Sequence, residues 1–304
     1  MEIAITLFIQ IIKMFLMMSV GYAIYSYKWV NEETSKGLST ILLKVVSPCI
    51  VFKSFLITLS QEIMINMLVC LGLSVVATLT GFILAALFFD KNQRINRFAI
   101  GFSNVGFMGI PLVEALLGSE YILYLSIYIV VFNLSLWSYG VFLMSDNRKE
   151  MAFKKVLMNP NVLAVIAGMI FMIIGIGLPT MLTDVLSSFA TINTPLAMMV
   201  LGMYIAKESL ISIFNQPIIY KVVLMRLILT PLIVVSLFSI IPESFHSIKL
   251  VALIAAATPT ASSCAMLAQL YDQDFTYAAQ VVSLTTILCL FTMPIMIGLT
   301  GLFW

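Results

Sequence analysis

The sequence predicts an all-α integral membrane protein in which ten transmembrane helices form a 5+5 inverted repeat and two of them, spans 4 and 9, are broken. Three observations predict this fold class: the composition, the spacing of the polar connections, and two interruptions rich in Gly, Pro and Thr. Of 304 residues, 62% are hydrophobic and 10% are charged, whereas a soluble domain has roughly 25% charged residues. The mean hydropathy is +1.10. Too few polar residues remain to cover a surface that faces water.

Ten apolar segments are long enough to cross a bilayer, which takes about 20 predominantly apolar residues. These spans are residues 3–27, 37–57, 63–89, 97–118, 121–145, 156–178, 182–206, 217–241, 249–271 and 275–303. The first segment has no small-residue cleavage site and no basic residue before it, so we interpret it as span 1 rather than as a signal peptide. The connections are short, and we expect no soluble domain between the spans.

The distribution of Lys and Arg predicts that both termini lie outside the cell membrane. If the first connection is cytoplasmic, the cytoplasmic connections hold Lys28, Lys36, Lys91, Arg94, Arg97, Arg148, Lys149, Lys154, Lys155 and Lys207. The external connections then hold Lys249 alone. The last cytoplasmic connection, at residues 271–274, carries no positive charge and is the exception in this pattern.

Glycines and prolines inside the spans predict an internal repeat. Three pairs share an offset of 147 or 148 residues: Gly21 with Gly168, Pro48 with Pro195, and Pro111 with Pro259. We therefore expect a first five-helix repeat at 1–146, a cytoplasmic connection at 147–155 and a second repeat at 156–304. Because five is odd, the second repeat enters the membrane from the opposite side, an arrangement frequent in secondary transporters.

Spans 4 and 9 each contain a stretch at the bilayer centre that disfavours a helix: NVGFMGIP at 104–111 and ATPTASSC at 257–264. Irregular backbone survives at this depth only when it is buried in protein or lines a wet cavity. Pro111 and Pro259 suit the first position of a restarted helix. Each restarted helix would direct free N–H groups and its positive dipole end at the space between the two breaks. The alternative is a pair of proline kinks that only shape packing.

The two breaks thus predict an anion site at the membrane midplane. The candidate substrate-binding residues are Asn104, Gly106, Gly109, Pro111, Thr258, Pro259, Thr260, Ser262, Ser263 and Arg226. Arg226 lies midway along span 8, where its planar guanidinium suits a bidentate carboxylate contact, or an internal ion pair that stabilises the bundle. Further polar residues that could line the site are Asn133, Asn193, Ser283, Thr285 and Thr286.

The stretches NVGFMGIPLVEALLG and ATPTASSCAMLAQLYDQDFTYAAQVVSLTTILCLFTMPI resemble the two signature regions of the auxin efflux carrier family. The resemblance, to a bacterial form with a short central loop, extends along the whole chain. It implies that the two broken helices cross, and that spans 3–5 and 8–10 move against spans 1, 2, 6 and 7. It also implies secondary transport of small organic anions: auxin in plants, and malate or malonate-like carboxylates in bacteria.

Glu114 is the one carboxylate that lies clearly inside a predicted span. Burial of a carboxyl group favours its neutral, protonated form, so Glu114 is the candidate ion-coupling residue if transport is driven by protons. The alternative is that Glu114 caps the positive end of the half-helix that follows Pro111. Lys53 and Lys221 lie near the ends of their spans and can extend their ammonium groups toward the interface, whereas Lys13 and Lys44 lie deeper and either serve the site or belong to the scaffold.

We therefore predict a secondary active transporter for a small organic anion, with H+ or Na+ as coupling ion, acting as a monomer or a homodimer. The alternatives are a sodium-coupled organic anion symporter of similar fold and a transporter-like sensor. An enzyme is not expected, because His246 is the only histidine and no catalytic motif occurs. The four cysteines lack ligand spacing, so we expect no metal and no cofactor. No basic cluster points to nucleic acid.

Overall fold

A computed structural model describes residues 2–147, 149, 151, 153–207 and 216–304 of the chain. Over these residues the fold is helical, and no β-strand occurs among them. The helices are α1 (Glu2–Ser26), α2 (Glu32–Ile41), α3 (Ser47–Ser54), α4 (Gln61–Phe88), α5 (Arg94–Gly101), α6 (Ile110–Leu116), α7 (Ile122–Ser135), α8 (Val141–Ser145), α9 (Phe153–Leu157), α10 (Pro160–Ile174), α11 (Thr180–Ala206), α12 (Pro217–Val223), α13 (Thr230–Phe238), α14 (His246–Ala257), α15 (Ser263–Leu270), α16 (Phe275–Gly298) and α17 (Thr300–Phe303).

Short π-helical and 3₁₀-helical segments connect several of these helices. The π-helical segments are Leu42–Val46, Val105–Gly109, Leu136–Gly140 and Leu224–Leu229, and the 3₁₀ turns are Ser119–Tyr121 and Glu243–Phe245. The π-helical segments lead directly into α3, α6, α8 and α13, so each continues one membrane-crossing unit. π-Turns inside helices are rare and are frequent at functional sites.

Polar residues at the helix ends explain where several spans begin and stop. The side chain of Ser60 accepts a hydrogen bond from the N–H of Ile63 at the start of α4, and Asp274 accepts one from the N–H of Tyr277 at the start of α16. Such caps satisfy N–H groups that have no partner within the helix. At the other end of α10, Gly175 adopts φ +73° and stops the helix, as a left-handed residue after a helix commonly does.

Seven helical units among the described residues are long and apolar enough to cross a membrane. They coincide with predicted spans 1, 2, 3, 5, 7, 8 and 10. The three other predicted spans correspond to α10, which is shorter, and to the two broken helices, whose halves are too short to qualify separately. The multi-pass helical architecture is thus confirmed, while the count of ten spans and the inverted repeat remain predictions.

The helices pack as two groups. In one, α1 lies along α11, and α3 packs against both α10 and α11; in the other, α4 packs against α5, α7, α13 and α14. Helix α14 lies at the centre, since every residue from Ile248 to Ala257 is buried. The backbones of α1 and α11 approach most closely at Gly21 and Gly202, where an added Cβ would overlap main-chain atoms of the facing helix.

One detail of the predicted charge pattern changes, and one lies outside the described residues. Lys249 does not lie in an external connection but in the first turn of α14, where it is 1% exposed and donates to the carbonyl oxygen of Ile241 at 3.2 Å. Its ammonium group also lies 4.5 Å from the centre of the Trp304 ring, which compensates for its burial. Arg148, in the central connection at 147–155, lies outside the described residues.

Candidate functional site

The two broken helices meet at their interruptions. Between α5 and the π-helical Val105–Gly109, and between α14 and α15, the chain is extended, and Ser103 pairs with Thr260 in an isolated antiparallel bridge. The N–H of Asn104 donates to the carbonyl oxygen of Pro259 at 2.8 Å, and the N–H of Ala261 donates to that of Phe102 at 2.9 Å. We refer to residues 102–104 and 258–262 as the crossing.

The sequence explains why the second segment is extended. A proline disfavours helical backbone in the residue before it, and Thr258, which precedes Pro259, has ψ 153° and ends α14. All the residues of the crossing are buried except Ser262, which is partly exposed. The main-chain bonds between the two segments therefore replace those that each interrupted helix gives up, as burial in a membrane requires.

The carbonyl ends of α5 and α14 are capped by side chains. Arg226 donates from Nε and Nη2 to the carbonyl oxygen of Thr258 at 3.1 and 2.9 Å, from Nη2 to that of Ala256 at 2.8 Å, and from Nη1 to that of Ile100 at 2.9 Å. The Thr260 hydroxyl donates to the carbonyl oxygen of Ala99 at 3.0 Å. A positive charge at the carbonyl end of a helix is favourable, and here one guanidinium serves two ends.

Each broken helix restarts beside the crossing, and we call the two restarted parts the first and the second half-helix. The first half-helix restarts at Val105, directly after Asn104, and continues to Leu116; the second restarts at Ser263. The prediction that each proline opens its restarted helix is wrong for Pro259, which lies in the extended segment before Ser263. Pro111 is in the first turn of α6, but the π-turn at Val105–Gly109 precedes it in the same half-helix. The missing N–H of Pro111 removes an α-helical bond, which fits a π-turn immediately before it.

Two polar side chains at the restarts have no partner in the described structure. They are the Asn104 amide nitrogen and the Ser263 hydroxyl, both shielded from solvent. Beside them Gly106 is partly exposed, and an added Cβ there would meet no atom within 4 Å. A buried polar group without a partner costs free energy, so these groups mark a place where a bound polar molecule would complete the hydrogen bonding.

Glu114 lies further along the first half-helix, away from the crossing. Its Oε2 accepts a hydrogen bond from the Thr194 hydroxyl of α11 at 3.3 Å, and the ammonium group of Lys53 is close enough for an electrostatic interaction. The neighbouring Asn193 is fully buried, and both polar atoms of its amide lack a partner among the described residues. This polar cluster joins α6 to α11.

The structure brings most of the predicted site residues together and separates a few. Those at the crossing or at the adjoining restarts are Asn104, Gly106, Thr258, Pro259, Thr260, Ser262, Ser263 and Arg226. Gly109 and Pro111 lie farther along the first half-helix. Of the additional polar residues, Thr285 reaches the crossing, where its hydroxyl oxygen accepts from the Thr260 N–H at 3.3 Å.

Sequence reasoning missed Ser103, Tyr128 and Thr194. The phenol of Tyr128 on α7 interacts with the side chains of Ser103 and Thr78, so it links the first segment of the crossing to α4 and α7. Ser103 was recognisable as a polar neighbour of Asn104 inside an apolar run. Tyr128 and Thr194 carry no such local signal, because their importance depends on contacts with distant segments.

The described part of the chain contains no group of three or more His, Cys, Asp or Glu residues arranged to hold a metal ion. No curated protein matches the sequence. A family model described as membrane transport protein matches residues 6–297, almost the entire chain. The protein therefore belongs to the membrane transport protein family, the auxin efflux carrier family that its two signature stretches predicted.

Proposed function

We propose that the protein is a secondary active transporter that carries a small organic anion, such as a carboxylate, by alternating access. Members of the family are transporters rather than enzymes. The observation that carries the proposal is the meeting of two helix amino ends with the unpartnered Asn104 amide and Ser263 hydroxyl at one crossing. Free N–H groups and positive dipole ends favour an anion, and the amide and hydroxyl can donate hydrogen bonds to its oxygen atoms.

Charge at the crossing supports an anion rather than a cation. The carbonyl oxygens at the ends of α5 and α14 would be the natural ligands of Na+, which like other hard cations prefers oxygen. Arg226 and Thr260 already occupy several of them. Arg226 also offsets the negative dipole ends of both helices. The electrostatic field that remains is positive, and it comes from the guanidinium and the two amino ends.

The same arrangement favours proton coupling over sodium coupling. With the carbonyl oxygens at the crossing taken up, a Na+ site would have to form elsewhere. Glu114 is the candidate proton carrier: it is partly buried, it lies on the half-helix that leads to the crossing, and its partner Thr194 lies on α11. Loss or gain of a proton there would alter the contact between α6 and α11.

The packing of the helices supports alternating access. We propose that the group containing α4, α5, α7, α13 and α14 moves against the group containing α1, α3, α10 and α11. The crossing belongs to the first group, while Thr194 and Asn193 on α11 belong to the second. We further propose that the protein lies in the cell membrane with both termini outside, since basic residues concentrate in the connections assigned to the cytoplasm.

The decisive experiment is uptake into proteoliposomes of dicarboxylates, monocarboxylates and indole acids, with pH and Na+ gradients imposed separately. We expect uptake of a carboxylate driven by the pH gradient. Asn104→Asp keeps the shape, and the positive field of the guanidinium and the two amino ends favours the charged form of the new carboxyl group, so it should reduce uptake by at least about tenfold, more than Asn104→Leu, because like charges repel strongly at low dielectric.

Asn92→Asp, the same change in an exposed connection, is the matched control and should retain uptake. Uptake driven by Na+ alone would favour the sodium-coupled symporter. Binding of the anion without movement across the membrane would favour a sensor. Equal uptake by the Asn104→Asp and Asn92→Asp variants would remove the crossing as the site.

A further inference from the structure

Arg226 is a buried charged side chain at the crossing, and its guanidinium makes four hydrogen bonds. It is 2% exposed, and its four hydrogen bonds end on the main-chain carbonyl oxygens of Ile100, Ala256 and Thr258. These carbonyl groups come from both broken helices, whereas Arg226 belongs to a third unit, the π-helical Leu224–Leu229 between α12 and α13. The guanidinium therefore fastens three separate segments at one point.

We infer that Arg226 is a positioning residue: it holds the two broken helices in register and does not itself bind the transported anion. The inference rests on the proposed function in placing the anion site at the crossing. A guanidinium has five N–H donors in a rigid plane, and four hydrogen bonds to carbonyl oxygens leave little capacity for a bidentate carboxylate contact, one of the two roles that its sequence position suggests.

The local sequence explains how the side chain reaches this place. Pro231 has no N–H to donate to the carbonyl oxygen four residues earlier, as an α-helix requires. The Thr230 hydroxyl donates to the carbonyl oxygen of Met225 at 2.7 Å. The helix widens into a π-turn over Leu224–Leu229. Arg226 lies within this turn, so the wider backbone and the directed side chain belong to one feature, as at many functional π-turns.

Lysine could not replace this arginine. An ammonium group is a compact charge with three donors and no plane, so it can satisfy one of the two helix ends but cannot span both. Among the described residues, the other hydrogen bonds between the broken helices are two main-chain bonds and the bond from the Thr260 hydroxyl to the carbonyl oxygen of Ala99. We expect these to open more often once the carbonyl ends of α5 and α14 are no longer held together.

Hydrogen exchange of the full-length protein in lipid nanodiscs tests the inference without any substrate. The reporters are the N–H groups of Asn104 and Ala261, which donate across the crossing, and the reference is the set of N–H groups of α1 and α11. In Arg226→Lys and Arg226→Gln we expect exchange at the reporters to rise by about tenfold or more, because bonds to a charged donor are strong. Exchange in α1 and α11 should not change.

Lys221→Gln is the matched control. Lys221 lies on α12, five positions before Arg226 in the same transmembrane unit, and its ammonium group donates to the carbonyl oxygen of Phe88 at 2.8 Å on an exposed face. The variant also removes one positive charge from this unit but leaves the crossing intact, so exchange at Asn104 and Ala261 should match that of the wild type. If Arg226→Gln fails to fold, Arg226→Lys, which retains the charge, decides the question.

Transport assays supply the second readout. A positioning role predicts that Arg226→Lys weakens the apparent affinity for monocarboxylates and dicarboxylates by the same factor, whereas a direct contact would change the ratio between them. Unchanged exchange at the crossing together with a changed ratio would overturn the inference, and so would exchange that rises equally in α1 and α11. If the wild type carries no anion, the proposed function fails, yet the exchange result still decides the role of Arg226.

Discussion

Two contacts between helices in this protein differ in the interactions that hold them, namely close packing at glycines and hydrogen bonds between polar groups. Where α1 meets α11, Gly21 and Gly202 let the two backbones touch, and an added Cβ at either position would overlap main-chain atoms of Met199 or Met18. At the crossing, hydrogen bonds between buried main-chain groups, and from the buried guanidinium of Arg226 to main-chain carbonyl oxygens, hold the segments. The first contact depends on small residues, and the second depends on polar groups.

The difference shows how a membrane protein separates stability from function. Close packing at small residues is the usual means of holding helices together in a bilayer, and it leaves the backbone hydrogen bonds intact. The crossing gives up those bonds and replaces them with bonds between the two segments, while the Asn104 amide nitrogen and the Ser263 hydroxyl have no partner among the described residues. Changes at the first contact should therefore reduce the amount of folded protein, and changes at the second should reduce transport.

The largest effect is expected for Gly202→Ala. The new Cβ would overlap the carbonyl oxygen of Met18, and because neither backbone can yield without parting the helices, overpacking should cost about 1–3 kcal/mol or more. We expect a strong loss of monodisperse protein in size-exclusion chromatography and a lower melting temperature. Gly72→Ala in α4 is the matched control, because no atom lies within 4 Å of the added group, and Ala is the better helix former. Equal yields of the two variants would contradict this view of the contact.

The two prolines provide the next test, and the structure separates them. Pro259→Ala releases the restriction on Thr258, allows α14 to extend through the interruption, and withdraws the carbonyl oxygen that accepts from Asn104 at 2.8 Å. We expect anion uptake to fall by about tenfold, the factor that corresponds to 1.4 kcal/mol, while the yield of folded protein stays close to that of the wild type.

Pro111→Ala is the matched variant and should change uptake by less than about threefold, because Pro111 lies within the half-helix and alanine there can only restore an ordinary helical bond. Both rates would be measured in proteoliposomes at equal protein content. If the two variants lose uptake equally, the location of the proline in the interruption has no special importance, and the prolines act through packing.

The positions of the interruptions could be predicted from sequence, but their internal structure could not. Gly, Asn and Pro in one stretch and Thr, Pro and Ser in the other disfavour a helix locally. The second stretch is interrupted at 258–262 as predicted, whereas the first interruption lies at 102–104 and the chain is helical again from Val105. Where each half-helix restarts depends on partners far along the chain. Asn104 bonds to Pro259, and Arg226 bonds to Ile100, 126 residues away.

Contacts between distant segments also explain why the hydrogen-bond acceptors of Arg226 could not be predicted from sequence. The number of spans is limited by helix length. A buried arginine in an apolar helix predicts a functional charge, but the identity of its acceptors depends on tertiary contacts that no local pattern encodes. Hydropathy locates long apolar helices well, whereas the halves of a broken helix, such as the eight residues of α5 and the eight of α15, are too short to be recognised as spans on their own.

The smallest and most selective effect is expected for Glu114→Gln. Glu114 lies on α6, outside the crossing, and the Thr194 hydroxyl of α11 donates to it at 3.3 Å, so we expect it to link α6 to α11 rather than to hold the anion. Glutamine keeps the shape and can still accept from Thr194, but it cannot lose or gain a proton. Exchange of labelled anion between two loaded compartments needs no net proton movement and should remain near the wild-type rate.

Accumulation against a gradient is the measurement that isolates the proton. With only a pH difference imposed, the Glu114→Gln variant should bring the internal anion no higher than the external concentration, while the wild type concentrates it. Thr194→Val is the control, because it removes the hydroxyl donor yet leaves the carboxyl group able to titrate, and it should slow uptake without abolishing accumulation. If Glu114→Gln accumulates the anion as the wild type does, Glu114 only caps its half-helix, and the crossing differs from the rest of the bundle in binding alone, with coupling placed at another residue.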